Sequence, residues 1–186
     1  HHHAQVRNAA RDILRAANAP VPSGAPNPMT ITYAQVLTIT SARVQTDRGE
    51  LVIDLDPEAA PMTVWNFARL AEEGWYDGAY WHRVVPDFVA QAGDPRGDGL
   101  GGPPWTLPDE INHITYDRGV VGMAHAGPDT AGSQWFVTLS PQPHLDDSYT
   151  AFGRVTQGMG VLQSLQPSDR IRAVLIERQS STSVGP

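Results

Sequence analysis

The chain of 186 residues contains no cysteine and no lysine, and all 13 of its basic residues are arginines. Without cysteine there can be no disulfide bond, no thiolate nucleophile and no cysteine-ligated zinc. Catalysis by a lysine is excluded as well. No apolar run approaches the roughly 18–20 residues that span a bilayer. Whatever chemistry the protein performs, it uses neither of two common covalent catalysts.

Positive charge is also scarce, because 20 acidic residues leave a formal net charge of −7. This balance disfavours a surface that follows nucleic acid phosphates, and we expect no nucleic acid partner. Outside residues 1–3 the histidines lack close metal-ligand spacing, these being His82, His113, His125 and His144. We therefore expect neither a metal nor a cofactor.

The 17 glycines and 16 prolines predict short elements joined by many turns. Hydrophobic alternation predicts eight strands, at residues 36–45, 50–56, 80–84, 88–92, 119–124, 134–139, 151–155 and 171–178. Helical spacing predicts helices at 61–73 and 157–165. We therefore predict a mainly β fold, an eight-stranded antiparallel closed barrel capped by two α-helices.

The domain organisation follows from composition. Residues 1–3 are histidines typical of a tag remnant, and 4–29 combine a short N-terminal helix with a proline-rich linker. Two interpretations of that helix stay open, the last piece of a removed helical domain and a docking extension. Residues 30–180 form the predicted barrel domain and 181–186 a flexible tail. The cellular compartment is left open between cytoplasm and export.

Two segments carry the candidate chemistry. In residues 81–94, alternation about Pro86 brings Arg83, Phe88 and Gln91 near one another. An arginine is a poor general base but a fixed donor to a carbonyl oxygen. The alternative for Arg83 is a surface residue or an ion-pair partner, the usual role of an arginine in a strand.

In the second segment, residues 122–136, small side chains at 124–126 leave backbone groups accessible to an extended peptide. Phe136 could line a hydrophobic pocket. The alternative is a turn between two core strands. The glycine-rich stretch 97–102 lacks the Lys-Ser/Thr of a P-loop and is predicted to be a surface loop.

The two segments, taken together and in this order along the chain, resemble those of the cyclophilin family of peptidyl-prolyl cis-trans isomerases. Residues 81–93 resemble the family's F-H-R-V-I-P-x-F-x-x-Q-G-G, and 122–136 resemble G-M-A-N-A-G-P-x-T-x-G-S-Q-F-F. Flanking residues 60–67 resemble A-P-x-T-x-x-N-F, and 152–155 resemble F-G-x-V. The resemblance covers about residues 37–178 and implies the family's eight-stranded barrel with a helix at each end.

The resemblance implies an enzyme that rotates X–Pro bonds in polypeptides and assists protein folding, as a chaperone does. Arg83 and Gln91 would be catalytic. The substrate-binding positions would be Phe88, Val89, Ala124, His125, Ala126, Gln134, Phe136, His144, Leu145 and Tyr149. The partners would be proline-containing polypeptides, and we expect a monomer. The arginine-only, alanine-rich composition is typical of a high-GC bacterial gene.

Four of these substrate-binding positions depart from the family pattern. Val89 stands where the family often has Met, His125 where it has Asn, and Tyr149 where it has His. His144 replaces a Trp that contributes to cyclosporin binding in the family, so we expect weak cyclosporin binding with activity retained. These departures keep a second hypothesis open, a catalytically weak proline-peptide-binding module.

Overall fold

The computed structural model describes residues 31–179, and its regular elements match the predicted order. The strands are β1 (Ile39–Thr46), β2 (Gly49–Leu55), β3 (Arg83–Val84), β4 (Val89–Ala92), β5 (Val120–Met123), β6 (Trp135–Thr138), β7 (Ala151–Gln157) and β8 (Ile171–Arg178). The helices are α1 (Tyr33–Val36), α2 (Pro61–Glu72) and α3 (Met159–Ser164), with a 3-10 turn at Pro143–Leu145. The predicted tag remnant, N-terminal helix, linker and tail lie outside the described residues. Among residues 31–179, no helix has the length and hydrophobicity of a membrane span.

All eight strands belong to one antiparallel sheet of order β3-β4-β6-β5-β7-β2-β1-β8. The sheet curls until its two edges approach each other. The chain before β3 contacts β8 and the residues before it, because Gly78 N–H donates to Ile171 O at 2.8 Å and Trp81 N–H to Asp169 O at 2.9 Å. The prediction of eight antiparallel strands is confirmed. The predicted closed barrel takes the form of a curled sheet whose edge strands are β3 and β8.

Alternation along the central strands sends neighbouring side chains to opposite faces of the sheet. One face supplies the interior cluster, which includes Ala90, Ala92, Val121, Met123, Trp135 and Val137. The other face supplies the groove cluster, which is made of Val89, Tyr116, Val120, Phe136, Leu145 and Ala151. The two clusters therefore share strands β4, β5 and β6 while lying on opposite sides of them.

Aromatic side chains pack closely on the interior side of the sheet. Phe67 of α2 lies 5.6 Å from the ring of Trp135 and 5.4 Å from that of Phe152, and Trp81 meets Trp135 edge-on at 5.2 Å. Edge-to-face pairs of this kind contribute about 0.5–1.5 kcal/mol beyond the area they bury. Trp135 precedes Phe136 on β6, so this packing fixes the strand that carries a groove residue.

The short helix α1 is not among the predicted helices, although its cap has a sequence signal. Gln35 N–H donates to Thr32 Oγ1 at 3.3 Å, and Thr32 N–H donates to Gln35 Oε1 at 2.7 Å. This reciprocal pair is a capping box, and the three-residue spacing of Thr and Gln is its pattern.

Helix α2 obtains its N-terminal cap from a distant loop. Its N-cap residue is Ala60, which has no side-chain acceptor. The Glu110 carboxyl accepts instead from Met62 N–H at 3.0 Å, Thr63 N–H at 2.8 Å and Thr63 Oγ1 at 2.7 Å. Burial raises the pKa of Glu110, and these three hydrogen bonds counteract that rise. The carboxyl therefore joins the loop around residue 110 to the start of α2.

Replacing Glu110 by alanine is expected to destabilise the fold. Glu110→Ala leaves the buried N–H groups of Met62 and Thr63 without their acceptor, which costs about 2–4 kcal/mol of unfolding free energy. Urea denaturation measures the loss. The control is Glu58→Ala, which removes an exposed carboxylate near the same helix and should change the midpoint little. Equal midpoints for Glu110→Ala and the unsubstituted protein would show that the cap is dispensable.

Candidate active site

Strand register aligns the central residues of the candidate site. Arg83 on β3 lies opposite Gln91 on β4, Gln91 lies opposite Phe136 on β6, and Phe136 lies opposite Gly122 on β5. Residues that lie directly opposite each other point to the same face of a sheet. The cation, the amide and the aromatic ring therefore form one row across neighbouring strands.

Arg83 is exposed at the end of this row. Its Nη1 donates to Gln91 Oε1 at 3.4 Å, and its Cζ lies 5.2 Å from the centroid of the Phe88 ring. That distance is within the range of a cation–π interaction. The predicted proximity of Arg83, Phe88 and Gln91 is thus present, with a permanent positive charge held between an amide and an aromatic face.

Beside the guanidinium is a cavity of about 130 Å³. Its lining consists of Arg83, Phe88, Val89, Gln91, Ala124, His125, Phe136, Leu145 and Tyr149. Pockets for drug-sized ligands measure about 300–1,000 Å³. This cavity is far smaller, and it suits one compact apolar group with a charged donor at its rim.

The back of this cavity depends on two residues that the sequence did not single out. Tyr116 is buried, stacks on Phe136 at 5.6 Å and donates its hydroxyl to Tyr149 O at 3.2 Å. A Cβ at Gly122 would run into both Tyr116 and Phe136. A glycine inside a strand is a signal of such close approach, whereas nothing in the sequence pattern around Tyr116 points to its role.

His125 forms a fixed wall of the cavity. Its ring stacks on Tyr149 at 4.3 Å, its Nε2 donates to Ser148 O at 3.1 Å, and its Nδ1 accepts from Gly127 N–H at 3.3 Å. A carbonyl oxygen can only accept and a backbone N–H can only donate, so these contacts suit the neutral tautomer with its proton on Nε2. The ring nitrogens are therefore both engaged within the protein.

His144 does not line the cavity, but it contacts Phe88, which does. It is exposed on the 3-10 turn and stacks on Phe88 at 5.6 Å, while the next residue, Leu145, is buried in the groove cluster. The turn therefore contributes Leu145 to the cavity lining and places His144 against Phe88, another lining residue.

A second cavity, of about 420 Å³, continues from the first. The two share Gln91, Ala124 and His125, and the second also contains the predicted positions Ala126 and Gln134. Residues 99–102 of the glycine-rich loop 97–102 also line it. That loop lies at the surface as predicted, and it also lines the groove, which its composition did not indicate.

The backbone at residues 124–126 is partly engaged already. Ala124 N–H donates to Gln134 O at 2.9 Å, and Ala126 N–H donates to Thr130 Oγ1 at 2.9 Å. A peptide lying along this segment would pair with its other backbone groups. Within residues 31–179 no group of three or more His, Asp or Glu side chains is arranged to hold a metal ion.

The amino-acid sequence of this chain is similar to those of one family of known proteins. A sequence model described as "Cyclophilin type peptidyl-prolyl cis-trans isomerase/CLD" matches residues 41–180. Peptidyl-prolyl cis-trans isomerase B of Bacillus subtilis (strain 168) is 47% identical over 133 residues, covering 70% of this chain and 93% of that protein. A peptidyl-prolyl cis-trans isomerase of Synechococcus elongatus is 43% identical over 140 residues, covering 74% and 97%.

Solved structures agree with the sequences. A cyclophilin-type peptidyl-prolyl cis-trans isomerase of Cryptosporidium parvum superposes with a TM-score of 0.72 at 30% identity, covering 76% of this chain and 99% of that one. A structure of the same protein in the presence of the dipeptide Ala-Pro gives a TM-score of 0.71 at 31% identity, covering 75% and 99%. The curled sheet, the groove and the matched sequence together show that this chain belongs to the cyclophilin-type peptidyl-prolyl cis-trans isomerase family.

Proposed function

We propose that the groove described above is where this peptidyl-prolyl cis-trans isomerase holds and rotates X–Pro bonds, with the proline ring in the smaller cavity and Arg83 as the catalytic donor. The observation that carries this proposal is the guanidinium at the rim of an apolar cavity of about 130 Å³. Proline has a compact apolar ring and no backbone N–H. A cavity of this size and polarity matches that ring.

The reaction requires only that the peptide bond twist. Partial double-bond character sets a rotation barrier of about 18–20 kcal/mol. In the twisted state conjugation is lost and the prolyl nitrogen becomes pyramidal. A donor that binds this state more strongly than either planar state lowers the barrier. Lowering the barrier by about 5–7 kcal/mol raises the rate by about four to five orders of magnitude.

Arg83 supplies this differential binding in the proposed mechanism. Its guanidinium would donate to the prolyl carbonyl or toward the nitrogen, where charge builds up as the bond twists. Gln91 would hold the guanidinium through their hydrogen bond. Phe88, Val89, Phe136 and Leu145 would hold the ring still while the rest of the peptide rotates.

The rest of the substrate would lie along the larger cavity. Backbone groups at 124–126 would hold the residue before proline, with His125 as the wall between the two cavities. Ala126 and Gln134 line the larger cavity, and His144 and Tyr149 flank the smaller one. The Cryptosporidium relative solved with Ala-Pro supports proline-containing polypeptides as the substrate class.

We also propose that residues 30–180 are the catalytic domain and that it acts as a monomer. Both cavities are lined by residues between Arg83 and Tyr149, so this domain by itself supplies the lining of the groove. Action on flexible or unfolded polypeptides would make the protein a folding assistant.

Arg83→Ala is expected to lower kcat/KM by about 100-fold, because removing one charged donor to a developing charge has consequences of this size. Arg83→Lys should recover only part of the activity, since a lysine keeps the charge but lacks the planar fork. An NMR exchange or protease-coupled assay on an Ala-Pro peptide measures both variants, and circular dichroism checks that they fold.

The matched control is Arg154→Ala, which removes an exposed strand arginine from β7, four positions from β3 in the sheet order. This control should keep normal activity. Near-normal turnover in Arg83→Ala would refute the role given to Arg83. A negligible rate in the unsubstituted protein would instead favour the peptide-binding module.

Cyclosporin is expected to inhibit this enzyme weakly, because His144 offers a smaller apolar face at the cavity entrance than an indole does. His144→Trp should tighten the inhibition constant by about tenfold, the gain that roughly 1.4 kcal/mol of added contact provides. Inhibition of the isomerase assay over a cyclosporin series measures both constants. A nanomolar constant for the unsubstituted protein, or no change in His144→Trp, would contradict this expectation.

A further inference from the structure

Asp94 is a buried carboxylate that the mechanism above does not use. It follows β4 and is completely shielded from solvent. Oδ1 accepts from Arg96 N–H at 2.8 Å, and Oδ2 accepts from Gly99 N–H at 2.5 Å. Burial by itself would raise the pKa of this carboxyl, but the surrounding backbone N–H groups hold the pKa below its ordinary value. Asp94 therefore anchors the glycine-rich loop as a charged acceptor.

The anchored loop in turn orients Gln134. Gln134 Nε2 donates to Gly99 O at 3.0 Å and to Gly101 O at 2.9 Å, which uses both hydrogens of the amide. If this amide were flipped, its oxygen would face two carbonyl oxygens and both hydrogen bonds would be lost. The loop thus decides which way the Gln134 amide points.

The orientation of the Gln134 amide in turn fixes which atom of Gln91 faces Arg83. Gln134 Oε1 accepts from Gln91 Nε2 at 3.0 Å, and Gln91 Oε1 accepts from Arg83 Nη1 at 3.4 Å. Because Gln91 gives its amide hydrogen to Gln134, its oxygen is the atom that faces the guanidinium. The hydrogen bonds form a directed chain from the loop to the cation.

We propose that Asp94 is a positioning residue of this isomerase, acting on the Arg83 guanidinium through the loop carbonyls and the two glutamine side chains. The proposal rests on the role proposed above for Arg83. Asp94 is fully buried and cannot touch a substrate, so it can act on the reaction only through this series of hydrogen bonds, which we call the relay. Substrate binding by the apolar cavity does not depend on it.

The first test is Asp94→Asn. A carboxamide has one acceptor oxygen, so it cannot accept from both Arg96 N–H and Gly99 N–H, and its amino group would oppose one of them. We expect kcat to fall about tenfold with KM little changed, the scale of losing one well-placed hydrogen bond in the transition state.

The matched control is Asp98→Asn in the same loop. Asp98 is exposed and pairs with the exposed Arg96 guanidinium, a surface ion pair that contributes little to stability, and its Oδ1 accepts from Leu100 N–H at 2.9 Å. An asparagine can keep that bond while removing the same charge, so kcat should stay unchanged. An equal loss of kcat in both variants would mean that loop charge matters and not the buried anchor, which would overturn the proposal.

A double-mutant cycle separates the relay from a merely structural role. In a Gln134→Leu background the relay is already broken, so adding Asp94→Asn should lower kcat no further than about twofold. Losses that multiply in the double variant would show that Asp94 acts independently of Gln134 and would overturn the proposal.

If Asp94→Asn does not fold, Gly101→Ala tests the same contact from the other side. A methyl group at position 101 would run into the Asp94 carboxylate, and kcat should fall only where Gln134 is intact. Arg83→Ala, measured in the same assay, separates the two failures. Loss of activity in Arg83→Ala with normal kcat in Asp94→Asn and Gly101→Ala would reject the relay alone, whereas normal activity in Arg83→Ala would reject the proposed function.

Discussion

Strand register in β4 and β6 is the constraint on which the site depends. Alternate residues of these strands enter the interior cluster and the groove cluster, so one backbone holds both the core and the proposed substrate surface. A slip of one residue would exchange the two faces. Trp135 would then lie where Phe136 lies now, and the core and the groove would be lost together. The stability of the interior therefore also specifies the geometry outside it.

The site proposed for this reaction contains no group that would have to form a covalent bond with the substrate. A permanently charged arginine, a ring beneath it and an amide beside it are held by neighbouring strands and a short turn. Lysine and cysteine, which the chain lacks, are useful where bonds to heavy atoms are made. Twisting an amide makes no such demand. What it needs is a fixed orientation, which a packed sheet provides better than a loop does.

Local pattern was sufficient to predict much of this molecule, and long-range contacts account for the rest. Alternation predicted all eight strands and the proximity of Arg83 to Gln91 across the Pro86 turn. The Glu110 cap spans 47 and 48 residues, and the Gln134 bonds to the loop span 33 and 35. No periodicity encodes such partners. Tyr116 likewise lies in a segment without regular spacing, so only the folded chain reveals its support of Phe136.

Strand β3 has two residues, and it is an edge of the sheet. Long free edges recruit other extended chains through their unpaired backbone groups. A protein that receives unfolded polypeptides beside such an edge would risk seeding their aggregation. Here the edge next to Arg83 is only two residues long, so a polypeptide bound in the proposed groove would have too few backbone partners to add to the sheet as a ninth strand.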